Sequence, residues 1–182
     1  MGVDNCKNMI YALIPARSGS QGIIDKNVLN LGGHPLLAFS ILAAKKCSSI
    51  DRVIVSTDSE EYAEIALHYG AEVPFIRPKK ISKNSSTDLE FFQHALKYFH
   101  EIANIVPEYF AHLGPTSPIR SPEIINKAIN FFSLSKFSAL RSVHAMSESS
   151  YKTFEIENDK LKKLCNGGFD IESTNLPRQS FP

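Results

Sequence analysis

The sequence predicts an α/β fold built on a predominantly parallel sheet, and three observations predict it. Short apolar, β-prone runs alternate with helix-like segments, the pattern of strands joined by crossover helices. Several helix-like segments open on capping residues, so they begin where strands or loops end. At 182 residues the chain fits one domain, able to bury ~70% of its unfolded surface without disulfide or metal staples.

The strand-like runs are residues 9–14, 52–56, 72–76, 109–113 and 138–143. Pro15 is expected to stop the ladder of the first. Pro74 demotes the third to an edge strand or an extended loop, because proline has no N–H to donate. The helix over 35–47 is apolar nearly all round and suits burial against a sheet. The helix over 60–69 is shorter and amphipathic. In the helix over 89–103 the spacing of Phe92, Leu96 and Phe99 predicts one stripe facing the core; Ile125, Ile129 and Phe132 repeat it over 122–134. Asp58-Ser59-Glu60-Glu61 and Thr87-Asp88-Leu89-Glu90 resemble capping boxes, and Ser121-Pro122 is an N-cap with proline at N1. Beyond Val143 the pattern loosens, and a short β-hairpin or arm is expected there.

Lys and Arg total 20 against 19 Asp and Glu, for a net charge of +1. That balance excludes a dedicated nucleic-acid or acidic-membrane binder, so any anion site is local. Cys6, Cys47 and Cys165 are odd in number and show no C-x-x-C spacing, which indicates neither a disulfide framework nor a zinc site and points to a reducing compartment. No apolar run approaches the ~18 residues of a membrane span, and residues 1–8 lack the order of a signal peptide. The expectation is a cytoplasmic protein.

The most informative stretch is Leu13-Ile14-Pro15-Ala16-Arg17-Ser18-Gly19-Ser20-Gln21-Gly22, leading on to Lys26-Asn27. It joins an apolar strand to a glycine-rich turn carrying cations. Gly19 and Gly22 can take φ > 0 and bring backbone N–H groups close to an anion, while Arg17 and Lys26 neutralise phosphate oxygens. It is neither a Walker loop nor a dinucleotide fingerprint, because no Gly-Lys-Ser/Thr follows and the first glycine of G-x-G-x-x-G is missing. On residue types alone, an ordinary strand-to-loop connection stays open.

As a whole string the segment resembles the N-terminal signature of the acylneuraminate cytidylyltransferases, which activate sialic acids and related nonulosonic acids as CMP-sugars. The family writes Ile-Pro-Ala-Arg-x-Gly-Ser-Lys-Gly-Ile followed by Lys-Asn; Gln21 stands where the family usually has lysine. The resemblance implies a Rossmann-like three-layer nucleotide-diphospho-sugar transferase fold, with CTP held by Ala16, Arg17, Ser20, Gly22, Lys26 and Asn27. Arg17 and Gln21 would take the catalytic positions.

Other segments match in order. Val55-Ser56-Thr57-Asp58 ends a strand, and Asp58 has two readings, a helix N-cap and a ligand to metal or ribose; Glu61, completing a capping box, favours the cap. Arg77-Pro78 and the helix start at Thr87 match family positions near the nucleotide, and Thr87 is explained equally by its cap. Leu113-Gly114-Pro115-Thr116-Ser117-Pro118-Ile119-Arg120 reads by itself as a stiff turn displaying hydroxyls. It resembles the family's Gln-Pro-Thr-Ser-Pro-Leu-Arg, which assigns Thr116 and Ser117 to the sugar acceptor, with Gly114 in the glutamine position. Lys152 and Arg178 match two basic residues around the acceptor, and both suit its carboxylate.

The implied reaction is attack by the anomeric hydroxyl of a nonulosonic acid on the α-phosphorus of CTP, with Mg²⁺. In the family the magnesium aspartate pair follows a segment like Pro177-Arg178-Gln179, and none of it follows Pro182. The expectation is therefore one cytidylyltransferase domain over 1–182, incomplete at its C-terminus, with residues 146–181 as a homodimerisation arm. Another sugar-nucleotide pyrophosphorylase and a non-catalytic nucleotide-binding relative remain as alternatives. None of the six histidines has ligand spacing, and none is assigned a catalytic role.

Overall fold

A computed structural model describes residues 9–20, 22–143, 154–157 and 160–163. The chain divides into two compact units, Met1–Ala139 and Leu140–Pro182.

In the first unit, strands β1 (Ile10–Pro15), β4 (Arg52–Ser56) and β5 (Tyr109–His112) form a parallel sheet in the order β4-β1-β5. A small antiparallel pair, β2 (Asn30–Leu31) and β3 (His34–Pro35), precedes helix α1 (Leu36–Lys45). Helices α2 (Glu60–His68), α3 (Asp88–Glu101) and α4 (Pro122–Ser133) complete the unit.

The central strand β1 is apolar at successive positions because helices cover both of its faces. Ala12 and Ile14 point into a cluster with Leu37, Ile41 and Ala44 of α1 and with Tyr62 and Ala66 of α2; Ile125 of α4 packs on its margin. Tyr11 and Leu13 point the other way, toward Phe91, Ala95 and Phe99 of α3. The α/β class and the three layers read from the sequence are those observed.

Pro15 does not stop the ladder: it pairs with Ser56 as the last residue of β1. The ladder bond there runs from the Ala16 N–H to the Ser56 carbonyl at 2.9 Å, so the missing proline donor leaves no bond unmade. Residues 72–76 form no continuous strand but make two isolated parallel bridges, Glu72 with Ile54 of β4 and Ile76 with Thr57 just past its end, the extended loop that Pro74 imposes. Residues 138–143 form no strand either. Phe137, Leu140 and Val143 are exposed, and no ladder partner lies beside this run among the described residues.

The stripe of α3 is rotated by one position from its expected place. Phe91, Ala95 and Phe99 are buried, Phe92 flanks them, and Leu96 is 43% exposed. The small Ala95 faces the sheet, and aromatic rings fill the space on either side of it. On α4, Ile125, Ile129 and Phe132 are half-buried, and Phe132 packs edge-on to Tyr109 with ring centroids 5.0 Å apart.

In the second unit, β6 (Phe154–Glu157) and β7 (Lys160–Lys163) pair as an antiparallel hairpin, with Phe154 opposite Lys163 and Glu157 opposite Lys160. A hairpin was the sequence expectation for this part of the chain.

Candidate functional site

The chain enters the sheet at β1, crosses to β4 on one side and returns to β5 on the other. The boundary between β1 and β5 is therefore the switch point of the sheet, outside which open α/β folds collect ligands. A cleft of about 290 Å³ lies there, at the carboxyl ends of the strands. Arg17, Ser20, Lys26 and Asn27 line it from the segment after β1, and Gly114, Pro115 and Thr116 line it from the segment after β5. Arg77, Thr87, Asp88 and Phe91 form its third side. A larger hollow of about 410 Å³, between Val28, Pro35 and α2, contains no Lys or Arg and none of the residues singled out by sequence.

The segment after β1 is held at both ends. Ser18 donates from its N–H to Asp58 Oδ1 at 2.7 Å and from its hydroxyl to Asp58 Oδ2 at 3.0 Å. Gly19 then takes a φ of 65°, a turn that a Cβ would strain. Asn27, 6% exposed, donates from Nδ2 to the Arg17 carbonyl at 3.0 Å and so ties the two ends together. Arg17 reaches back to the Gly19 carbonyl at 3.4 Å. Gly22 does not use positive φ; Asp25 does, at 49°. The second reversal of the loop thus falls on an aspartate, a residue that visits the left-handed region more readily than most.

Asp58 is not a helix cap. The cap of α2 is Ser59, whose hydroxyl accepts from the Tyr62 N–H at 3.3 Å. That substitution of roles leaves the Asp58 carboxylate to hold Ser18, and the cap reading of Asp58 is not the one observed.

Arg77 is buried, with 4% exposure. It donates from Nε to the Ser56 hydroxyl at 3.0 Å and from Nη2 to the Ser56 carbonyl, while its guanidinium carbon lies 5.2 Å from the centre of the Phe91 ring. Burial lowers its pKa to about 10, with Asp58 and Asp88 opposing and Arg17 adding to the shift. It is still charged at neutral pH. Among the described residues no carboxylate pairs with it. A buried cation without a carboxylate partner is costly unless an anion compensates it.

The segment after β5 is tied to itself. Arg120 donates to the Ser117 carbonyl at 3.0 Å and to the Gly114 carbonyl at 2.9 Å. Burial pushes the Arg120 guanidinium below its usual value. Ser40 of α1 adds a third bond, to the Gly114 carbonyl at 3.4 Å. Thr116 lines the cleft, whereas Ser117 is exposed outside it.

Helix α3 points its N-terminus into the cleft through Thr87 and Asp88. The Thr87 N–H is satisfied by the Glu90 carboxylate at 2.6 Å, as the capping box required. Ala16 is fully buried, its N–H is engaged by Ser56, and it does not line the cleft. Gln21, Lys152 and Arg178 lie outside the described residues. The structure thus gathers Arg17, Ser20, Lys26, Asn27, Arg77, Thr87 and Thr116 in one cleft. Sequence reasoning missed His112 and Asp88 there, 4.0 Å apart between Nδ1 and Oδ2. Only the placement of His112 at the end of a strand could have drawn notice.

A cleft of cations thus lies at the switch point of a three-layer α/β sheet, the place where open α/β folds collect ligands. The same fold is seen in a CMP:2-keto-3-deoxy-manno-octonic acid synthetase solved with CTP, which is 17% identical and matches with a TM-score of 0.56 over 69% of this chain and 47% of that one. The sequence gives the family: the cytidylyltransferase profile matches residues 11–162, and the chain belongs to that family. It is 39% identical to an N-acylneuraminate cytidylyltransferase of Escherichia coli over 96% of this chain and 40% of that protein. It is 38% identical to a CMP-N,N'-diacetyllegionaminic acid synthase of Legionella pneumophila over 66% of this chain and 51% of that protein. The chain thus spans about half the length, or less, of these two relatives.

Proposed function

We propose that the chain carries the CTP-binding part of an enzyme that transfers a cytidylyl group from CTP to a nonulosonic, sialic-acid-like sugar acid. The anomeric hydroxyl of the acceptor gives up its proton to solvent as its oxygen attacks the α-phosphorus, the bond to the bridging oxygen breaks, and pyrophosphate leaves with its electron pair. The observation that carries this reading is the convergence of Arg17, Lys26 and the buried Arg77 on one cleft, in a chain of the cytidylyltransferase family.

Catalysis in this reading is positioning and charge neutralisation. Lys26 and Arg17 oppose the charge that builds on the triphosphate, and Arg77 and the N-terminus of α3 favour an anion on the opposite wall. Gln21 and the amides of Ser20 and Gly22 supply neutral donors, with Asn27 fixing the loop. Thr116, Ser117, Lys152 and Arg178 are assigned to the acceptor, the last two to its carboxylate. The names of the two relatives support sialic and legionaminic acids as candidate acceptors.

The magnesium ion that the resemblance implies is held in general by one or two carboxylates together with substrate phosphates. Asp58 is engaged by Ser18, and no group of three or more His, Cys, Asp or Glu side chains among these residues is arranged to hold a metal. No step is therefore routed through it. A homodimer formed through residues 146–181 and a cytoplasmic location belong to the same proposal. No helix among the described residues is long and apolar enough to cross a membrane.

Calorimetric titration of the chain with CTP, UTP, GTP and ATP tests the reading. CTP-selective binding is expected, weakened about tenfold or more by Arg77→Met, which removes a charge-assisted contact. Equal binding of all four nucleotides, or of none, overturns it.

A further inference from the structure

The segment after β1 is gripped from outside the cleft by the region where β4 passes into α2. Asp58 takes Ser18 with both carboxylate oxygens at one end of the segment. At the other end Tyr62, on the first turn of α2 and 2% exposed, donates its hydroxyl to Asp25 Oδ1 at 2.8 Å. Asp25 is the residue held at φ 49° and ψ 34°, and it directly precedes the 3-10 turn Lys26–Val28. Its own carbonyl accepts the Val28 N–H at 2.9 Å, so the conformation of Asp25 sets the direction in which Lys26 leaves the loop. Neither Tyr62 nor Asp25 lines the cleft.

A left-handed conformation at a residue other than glycine costs free energy and persists where its surroundings fix it. Nothing in the local sequence fixes Asp25, since the glycine of this stretch, Gly22, lies three positions away in open space with no positive φ. What fixes it is the phenol of Tyr62, whose ring belongs to the core packed between β1 and α1. Burial, and then the neighbouring Asp25 carboxylate, push the Tyr62 pKa upward, which favours the protonated hydroxyl that donates to Asp25.

We propose that Tyr62 and Asp25 are positioning residues for the nucleotide, a clasp that, with Asp58 and Ser18, presets the loop and aims Lys26 into the cleft before any ligand arrives. The nucleotide half of this inference rests on the CTP reading above; the loop half does not. Pre-organisation of this kind lowers the cost of binding because the loop is ordered in the free protein.

The test uses Tyr62→Phe, which keeps the ring in the core and removes only the hydroxyl, leaving an exposed carboxylate that water can solvate. Hydrogen exchange of the free chain is expected to show faster exchange, by about fivefold or more, at the Ser18 and Val28 amides, with the amides of α2 unchanged. The CTP dissociation constant is expected to rise about fivefold to tenfold, the effect of one lost hydrogen bond. Asp25→Asn keeps both the acceptor oxygen and the tolerance for positive φ, and is expected to retain wild-type behaviour; Asp25→Ala loses both and matches Tyr62→Phe. Unchanged exchange in Tyr62→Phe overturns the clasp. Faster exchange with unchanged CTP affinity overturns its role in binding. If the wild-type chain binds no nucleotide, the CTP reading fails, and the exchange arm still decides whether Tyr62 holds the loop.

Discussion

Two segments flank the cleft, one after β1 and one after β5, and they are held in opposite ways. The first depends on contacts that span 40 and 37 positions of sequence, from Ser18 to Asp58 and from Asp25 to Tyr62. The second is stitched mainly by Arg120 to carbonyls three and six positions away, between prolines that already restrict it, with one longer bond of 3.4 Å from the distant Ser40. The first can exist in its observed shape only when the sheet and α2 are in place. The second is close to preformed by its own sequence. A site assembled from one of each responds differently at its two sides, and substitutions can separate them.

The largest effect is expected for Asp58→Ala. It leaves the Ser18 N–H and hydroxyl without their charged acceptor and frees one end of the first segment. Hydrogen bonds to charged groups put the cost at ~2–3 kcal/mol of stability, read as a lowered midpoint in urea denaturation. CTP affinity is expected to fall with it. A variant of wild-type stability and affinity would mean that the long-range contacts do not hold this segment, and the contrast between the two sides would disappear.

Next comes Arg120→Ala, which removes two bonds internal to the second segment. The expected loss is about 1–2 kcal/mol: the guanidinium makes both bonds charge-assisted, but they lie at or near the surface and the prolines still confine the chain. The CTP dissociation constant is expected to move less than in Asp58→Ala. The reverse order would make the segment after β5 the dominant nucleotide contact.

What the sequence made legible follows the same division. The stiff turn after β5, the cap at Ser121 and the capping box of α3 depend on residues a few positions apart, and the structure has all three. The fold class was legible because hydrophobic alternation is also local. The true partner of Asp58 was not, because a carboxylate before a helix reads as a cap, and only the fold places Ser18 within 2.7 Å of it. The rotation of the α3 stripe was hidden for a related reason. Phe91, Phe92, Leu96 and Phe99 offer two overlapping stripes, and the burial of the small Ala95 selects between them. Arg77 is intermediate: its position was legible, and its burial beneath Phe91 was not.

A smaller effect is expected from α3, which belongs to neither segment. His94 has its Nδ1 buried without a hydrogen-bond partner among the described residues, and burial first, then Arg77 and Lys80, holds its pKa below the ordinary 6.5. As pH falls below 6.5 the unfolded chain takes up a proton before the native one does. Stability is therefore expected to fall on acidification through that window and to be fully present above it. Urea midpoints at pH 7 and pH 5 should differ less in His94→Phe than in the wild type. An equal difference in both would remove His94 as the source.

The smallest effect is expected at Gly114, where glycine has no conformational duty. Its φ is not in the left-handed region, and a Cβ built there would meet only the Thr116 hydroxyl, at 4.0 Å. Its carbonyl, the atom that Arg120 and Ser40 hold, is unaffected by a side chain. Gly114→Gln is therefore expected to change stability by no more than about 0.5 kcal/mol, a melting shift within about 2 °C for a chain of this size. A side chain at this position projects into space beside Thr116, on the side of the cleft assigned to the acceptor. CTP affinity should stay at the wild-type value while any change falls on the acceptor. A loss of CTP binding in Gly114→Gln would instead put the triphosphate against the segment after β5, and the assignment of the two sides would have to be exchanged.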